Sequence, residues 1–319
     1  MKRRNFLSNS AALVAGAAAL SSIPSANGAT ILKPTTENPQ RKRVLRIAHF
    51  TDIHLQPERN APEGLRNALH KVQTMSDKPD ILFTGGDNIM DALEKDKVRT
   101  ALQFELFKNT IKNECSLPVK YCIGNHDVWG WGLKDTLVKQ DELYGKEWAV
   151  REFGLSKRYY SFEMAGWKFI FLDSTHTSET GIYTAKLDEE QFVWLENELK
   201  HTPASQYICI VSHIPILSIT PYFFGDNAKT GNWQIPGAWV HIDAFRIKNL
   251  FKEYKNLKIC LSGHMHMNDV VEYIGVKYLC NGAVCGAWWK GTYHEFPPAY
   301  VIVDLYEDGT TESEFVPYV

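Results

Sequence analysis

Six short apolar runs punctuate the chain after residue 43: VLRIAHF (44–50), ILFTGG (81–86), VKYCIG (119–124), WKFIFLD (167–173), QYICIVSH (206–213) and LKICLSGH (257–264). Each is bounded by turn residues and lacks polar alternation, the pattern of strands covered on both faces. Between them, EGLRNALHKVQTM (63–75), KVRTALQFELFKNTIK (97–112) and LDEEQFVWLENELKH (187–201) carry apolar residues at helical spacing. Strands alternating with helices predict α/β layering. After Asp269 the helical pattern stops. VVEYIGVKYLC (270–280) and AYVIVDLYEDGTTESEF (299–315) read as antiparallel strands, the latter turning at Asp308-Gly309. The expectation is one domain over residues 44–319, with long loops.

The first 29 residues do not fit that domain. A basic start, a short Ala-rich apolar stretch and small residues read as a secretory signal, and Arg3-Arg4 before Asn5-Phe6-Leu7 gives it twin-arginine character. Residues 30–43, polar and Pro-containing, read as a linker. The expected protein is exported by the twin-arginine machinery to the periplasm or beyond. No later stretch holds 18 unbroken apolar residues, so no membrane span is expected in the mature chain. A net charge of −2 and the absence of a long Lys/Arg tract argue against nucleic-acid binding.

Chemistry enters at the ends of the predicted strands. After the first come Asp52 and His54; after the second, Asp87 and Asp91; after the third, Asn125, His126 and Asp127. After QYICIV comes His213, and after LKICL come His264 and His266. Ligands of open α/β sheets bind outside the carboxyl ends of strands, and one His at such a place is commonplace, but five ends in phase are not. Imidazole, carboxylate and one carboxamide suit divalent ions such as Mn, Fe, Zn, Co or Ni. They are too many for a single tetrahedral ion. Gly85, Gly86, Gly124 and Gly263 are expected to let the backbone turn sharply beside them.

The ordered set D-x-H, G-D, G-N-H-D, a lone H and G-H-x-H resembles the calcineurin-like metallophosphoesterase superfamily, over residues 44 to about 290. The resemblance implies a four-layered α/β/β/α sandwich with a two-metal phosphoesterase site. By motif position Asp52, His54 and His266 would hold one ion, Asn125, His213 and His264 the other, and Asp87 would bridge them. His126 would be the catalytic histidine that is not a ligand, with metal-activated hydroxide attacking phosphorus. Relatives often carry an acid three residues after the bridging Asp; here Met90 stands there and Asp91 follows, leaving Asp91 and Asp127 both open as partners of His126. Met90 also replaces the Tyr of purple acid phosphatases, and GDNIMD lacks the arginine of the protein serine/threonine phosphatases. The nearest likeness is to cyclic-nucleotide-phosphodiesterase-like exported enzymes.

Trp129, Trp131, Trp233, Trp239, Trp288 and Trp289 fall near the expected rim, with Tyr222, Phe223 and Phe224, whereas Trp148, Trp167 and Trp194 read as structural. This favours an organic phosphoester, small-molecule or lipid, as substrate. The long loop from Ile216 to Ala238 has the length of a lid. Lys229, Lys290 and His294 read as solvated loop charges, with phosphate contact as the alternative. The reading is a phosphodiesterase. The alternatives are a phosphomonoesterase, a metal-dependent hydrolase of another bond, or a metal-binding protein without turnover. Cys122, Cys209 and Cys260 read as core thiols; Cys115–Cys122 and Cys280–Cys285 are left open as disulfides.

Overall fold

A computed structural model describes residues 41–179, 181–223, 225 and 229–319. The leader, residues 30–40 of the linker and Phe224 lie outside the described residues. The first half of the chain forms β1 (Arg43–Phe50), α1 (Ala61–Gln73), β2 (Ile81–Thr84), α2 (Lys97–Glu114), β3 (Val119–Tyr121), α3 (Glu147–Glu152), β4 (Tyr160–Met164) and β5 (Trp167–Leu172). The second half forms β6 (Thr175–Thr177), β7 (Tyr183–Ala185), α4 (Glu189–His201), β8 (Tyr207–Ser212), α5 (Ala244–Phe251) and β9 (Leu257–Ser262). It closes with β10 (Asp269–Tyr273), β11 (Val276–Cys280), β12 (Ala299–Tyr306) and β13 (Thr311–Pro317).

One sheet runs β13-β12-β1-β2-β3 and another β10-β11-β9-β8-β5-β4. The pleat explains why their strands read as unbroken apolar runs. Along β5, Trp167, Phe169 and Phe171 enter a core shared by both sheets, while Ile170 and Leu172 face α4 and α5. Along β1, Leu45 and Ile47 point into the shared core, while Ala48 and Phe50 meet α1 and α2. Three apolar layers therefore separate four layers of backbone, the expected α/β/β/α sandwich.

Helix starts are set by side chains: Asp96 accepts from Arg99 N at 2.8 Å, and Asp188 accepts from Gln191 N at 2.9 Å. At the other end of the chain Asp308 and Gly309 (φ 81°) turn β12 into β13. The linker boundary needs correction. β1 begins at Arg43, one residue inside the expected linker; Arg41 is held by Glu312 of β13 and by Thr310 just before it, and Arg43 by Asp77 and Asp304. The short elements α3, α5, β4 and the β6–β7 hairpin were not expected. All six cysteines are free thiols; Cys122 and Cys209 lie between the sheets and Cys260 on the helix side of the second. Among the described residues, no helix is long and apolar enough to cross a membrane.

Candidate metal centre

β1, β2 and β3 are parallel, and so are β8 and β9, so the chain leaves each sheet at one end with the polar residues next in line. The exits are knitted together by backbone. Asp52 N donates to Gly86 O (3.1 Å), His54 N to Asp87 O (2.9 Å), and Gly263 N to His213 O (2.9 Å). His264 N donates to Asp52 Oδ2 at 2.8 Å. These bonds hold a strained backbone: Asp52, His54, Asp87, His264 and His266 all have positive φ, between 47° and 72°. Each such residue costs roughly 1 kcal/mol or more and persists only where its surroundings fix it.

The four glycines serve mainly to make room. Only Gly86 has positive φ, 91°. At Gly124 a Cβ would overlap the backbone nitrogen and carboxylate of Asp87. At Gly263 it would overlap Thr51 Oγ1 and Asp52 Oδ2, and at Gly85 it would stand 2.6 Å from His49 Nε2. The sequence expectation of sharp turns at all four therefore holds at one; at the others, chain crossing chain excludes a side chain.

The seven expected ligands converge. His54 Nε2 faces His266 Nε2 at 3.1 Å, and Asp52 Oδ1 lies 3.4 Å from His266 Nε2 and 3.9 Å from His54 Nε2. His213 Nε2 faces Asn125 Oδ1 at 3.1 Å and His264 Nδ1 at 3.2 Å. Asp87 Oδ2 belongs to both groups, 3.6 Å from His54 Nε2 and 3.1 Å from His213 Nε2. Two of the ring nitrogens turned away from the cluster are closely engaged: His213 Nδ1 meets Gly85 O at 2.8 Å and His266 Nδ1 meets Gly286 O at 2.6 Å. A proton spent on those carbonyls leaves each Nε2 lone pair directed inward. Asp52 Oδ1, fully buried, has no hydrogen-bond partner. Lone pair facing lone pair, with an orphaned carboxylate oxygen, is a donor set suited to divalent cations.

Electrostatics agree. Asp52 and Asp87 sit below the ordinary carboxylate range: burial opposes this, but the surrounding imidazoles outweigh it. Burial disfavours a charged His213, yet Asp87 lifts it to about 9. His264 is pushed down to about 3 by burial and by His213. Burial also disfavours a charged His266, but Cys285 and Asp52 lift it above the ordinary imidazole range, so without metal, protons on His213 and His266 partly fill a place that the cluster reserves for positive charge.

His126 stands beside this set. Its ring crosses that of His54 edge-on at 4.8 Å and its Nδ1 is 3.8 Å from Asp91 Oδ1. Asp127, the other open partner, is occupied elsewhere: it accepts from Asn88 N, Asn88 Nδ2 and Gly124 N, each at 2.9 Å, and from Ile89 N at 3.2 Å. Asp127 caps the turn; Asp91 is the acid that faces His126.

A cavity of about 150 Å³ opens over the cluster, and its aromatic lining is Tyr183, Trp239, Trp288 and Tyr293. Of the six rim tryptophans only Trp239 and Trp288 line it. Trp129 is buried against Trp148, Trp289 is turned inward, and Trp233 packs on Tyr222 away from the cavity. Lys229, Lys290 and His294 are not among the lining residues. The Ile216–Ala238 loop is tied down at its base, where Asp269 accepts from Ser218 Oγ (2.7 Å), Ile219 N (2.8 Å) and Thr220 N (3.1 Å). Tyr183 and Tyr293 escaped sequence reasoning. Tyr183 sits on the unexpected β6–β7 hairpin and Tyr293 in an irregular segment, and neither belongs to a motif.

The family model for calcineurin-like phosphoesterase matches residues 45–268. The chain is 23% identical over 296 residues to a 3′,5′-cyclic-nucleotide phosphodiesterase of Nostoc sp., covering 87% of this chain and 94% of that protein. It is 19% identical over 294 residues to a 3′,5′-cyclic adenosine monophosphate phosphodiesterase of Haemophilus influenzae, covering 89% and 93%. Among solved structures it resembles a dimetal phosphatase from Danio rerio, with TM-score 0.58, 14% identity, and 87% and 100% of the two chains covered. It also resembles GAP50, the anchor in the inner membrane complex of Plasmodium, with TM-score 0.53, 16% identity, and 87% and 85% covered. A phosphatase and an anchor thus share the fold, which by itself assigns no activity.

Proposed function

Since this chain belongs to the calcineurin-like phosphoesterase family, we propose that it is a dinuclear-metal phosphodiesterase acting on an organic substrate. The observation that carries this reading is the pair of donor groups sharing Asp87 Oδ2, at 3.6 Å from His54 and 3.1 Å from His213. Asp52, His54 and His266 would hold one ion, Asn125, His213 and His264 the other, with Asp87 between. Held there, two divalent ions would supply a nucleophile at neutral pH and positive charge for the phosphoryl oxygens.

The remaining work falls to the chain. His126 reaches into the same cavity without an expected ligand role, so its imidazole is placed to give a proton to the departing oxygen. Asp91, 3.8 Å from His126 Nδ1, is the carboxylate placed to orient that ring. The aromatic wall holds the organic part of the ester and keeps bulk water from the reacting centre. Among the described residues, the cavity lining contains no lysine or arginine, which suits a phosphodiester, carrying one negative charge, better than a doubly charged monoester. The two cyclic-nucleotide phosphodiesterase relatives support the same choice. Export by the twin-arginine route is proposed on the pattern of residues 1–29 alone, and cell fractionation tests it.

The deciding experiment compares bis-p-nitrophenyl phosphate with p-nitrophenyl phosphate on metal-stripped protein reloaded with Mn, with Asp87→Asn as control. Turnover of the diester that returns with metal and is lost in the control is the expected result. Preference for the monoester would make the protein a phosphomonoesterase. Two bound metals without turnover of either ester would leave a metal-binding protein on this fold.

A further inference from the structure

Trp288 and Trp289 are consecutive, both have positive φ (51° and 65°), and they point to different destinations. Trp289 goes inward. Its indole Nε1 donates to His54 O at 3.0 Å, and its ring occupies space that a side chain at residue 64 would need, a Cβ at Gly64 coming within 2.7 Å of Trp289 Cε3. A glycine inside α1 weakens the helix by about 1 kcal/mol relative to alanine, so its presence there marks a site where room matters. The carbonyl of Trp288 accepts from Arg59 Nη1 at 3.1 Å, and Trp289 N donates to Cys285 O at 2.8 Å. The dipeptide is thus fastened from both sides in a conformation that two indole residues would not adopt unaided.

What this fastening presents is the Trp288 ring. It lies 4.5 Å from the His266 ring, 6.1 Å from His54, and edge-on to Tyr293 at 5.3 Å, and it lines the cavity over the cluster. A core tryptophan needs no such support, and a loop anchor is already supplied by Trp289. We propose that Trp288 is a specificity-determining residue: a preset stacking wall for a flat aromatic or heteroaromatic part of the phosphoester. The proposal rests on the cleft being a phosphoester site, and Trp289, Gly64 and Arg59 act on substrate only by positioning Trp288.

The test measures binding, so it is independent of turnover. Mn-loaded protein is titrated by calorimetry with adenosine 5′-monophosphate and with ribose 5-phosphate, which carry the same phosphate and differ in the base. Stacking on one aromatic side chain is worth about tenfold in affinity. The wild type should prefer the nucleotide by about that factor, Trp288→Ala should abolish the preference while still binding ribose 5-phosphate, and Trp288→Phe should keep most of it. Metal content and melting temperature report whether the alanine variant has kept its fold, and the phenylalanine variant carries the test if it has not. Equal affinity of the wild type for both ligands, or a preference that survives Trp288→Ala, overturns the proposal. A protein that shows the base preference but hydrolyses no phosphoester would leave the wall standing and remove the enzymatic reading.

Discussion

Gly124 offers a direct test of how tightly the cluster is built. Its backbone (φ −98°, ψ 179°) is comfortable for any residue, so alanine would be resisted by space alone. The added methyl would overlap Asp87 N and Oδ1 and stand 2.9 Å from Asp87 Cγ, where an ordinary contact is 3.4–4 Å. Neither obstacle is soft. One is backbone, and the carboxylate is fixed by His126 N at 2.8 Å and faces His54 and His213. The exits of β2 and β3 must therefore separate. Overpacking of this kind costs about 1–3 kcal/mol of stability. The larger effect is on reaction: a displacement of about 1 Å at a shared carboxylate lowers rate by roughly a hundredfold. Gly124→Ala should therefore melt lower, bind less than the full complement of metal by mass spectrometry, and lose about two orders of magnitude in kcat on bis-p-nitrophenyl phosphate. Gly181→Ala is the control, since nothing lies nearer than 3.9 Å to its would-be Cβ, and it should change stability by less than about 0.5 kcal/mol. A Gly124→Ala protein with full metal occupancy and kcat within about threefold of wild type would refute the packing argument.

Other outcomes follow from the same geometry. His126→Ala should lower kcat by about a thousandfold with metal content intact. Asp91→Asn should lower it by about ten- to a hundredfold, the effect of losing a side chain that orients another, with partial rescue in Asp91→Glu; an unchanged kcat in Asp91→Asn would show that His126 is oriented otherwise. His49, fully buried between the sheets, has its imidazole pushed from 6.5 to about 4 by burial. The folded protein resists taking that proton while the unfolded chain accepts it, so stability falls as pH drops from 6.5 towards 4, by about 3 kcal/mol over that window. Urea unfolding of metal-free wild type and His49→Gln across pH 4–7 should show a shallower acid loss in the variant, and parallel curves would contradict it.

The strands and the polar cluster at their ends were legible because buried parallel strands are apolar on both faces, and the polar residues that follow them have nowhere to go but the sheet's end. β1, β2, β8 and β9 all behaved this way, and the two halves of GHMH were separable into different donor groups. What could not be read was where each rim side chain turns. Trp288 and Trp289 are chemically identical neighbours, and only backbone strain and the hole at Gly64 send one out and the other in. The β6–β7 hairpin, three residues per strand, is too short to leave a periodic signal, so Tyr183 was invisible. Asp91 and Asp127 were likewise equivalent until Asp127 proved to be filled by four N–H donors. The cysteine pairs were close in sequence, yet Cys122 lies between the sheets and Cys115 at the end of α2.

β1 supplies Asp52 and His54, and it lies in the middle of its sheet, flanked by β2 on one side and β12 on the other. The second neighbour comes late: Arg46 on β1 meets Asp304 on β12, 258 positions further along the chain. A nascent polypeptide therefore carries one bare strand edge beside Asp52 and His54 until β12 has been made. Closing so long a loop makes this the slow, non-local step of folding. His264 and His266 follow β9, so a site that joins them to Asp52 and His54 is complete only after β9 has paired with β8.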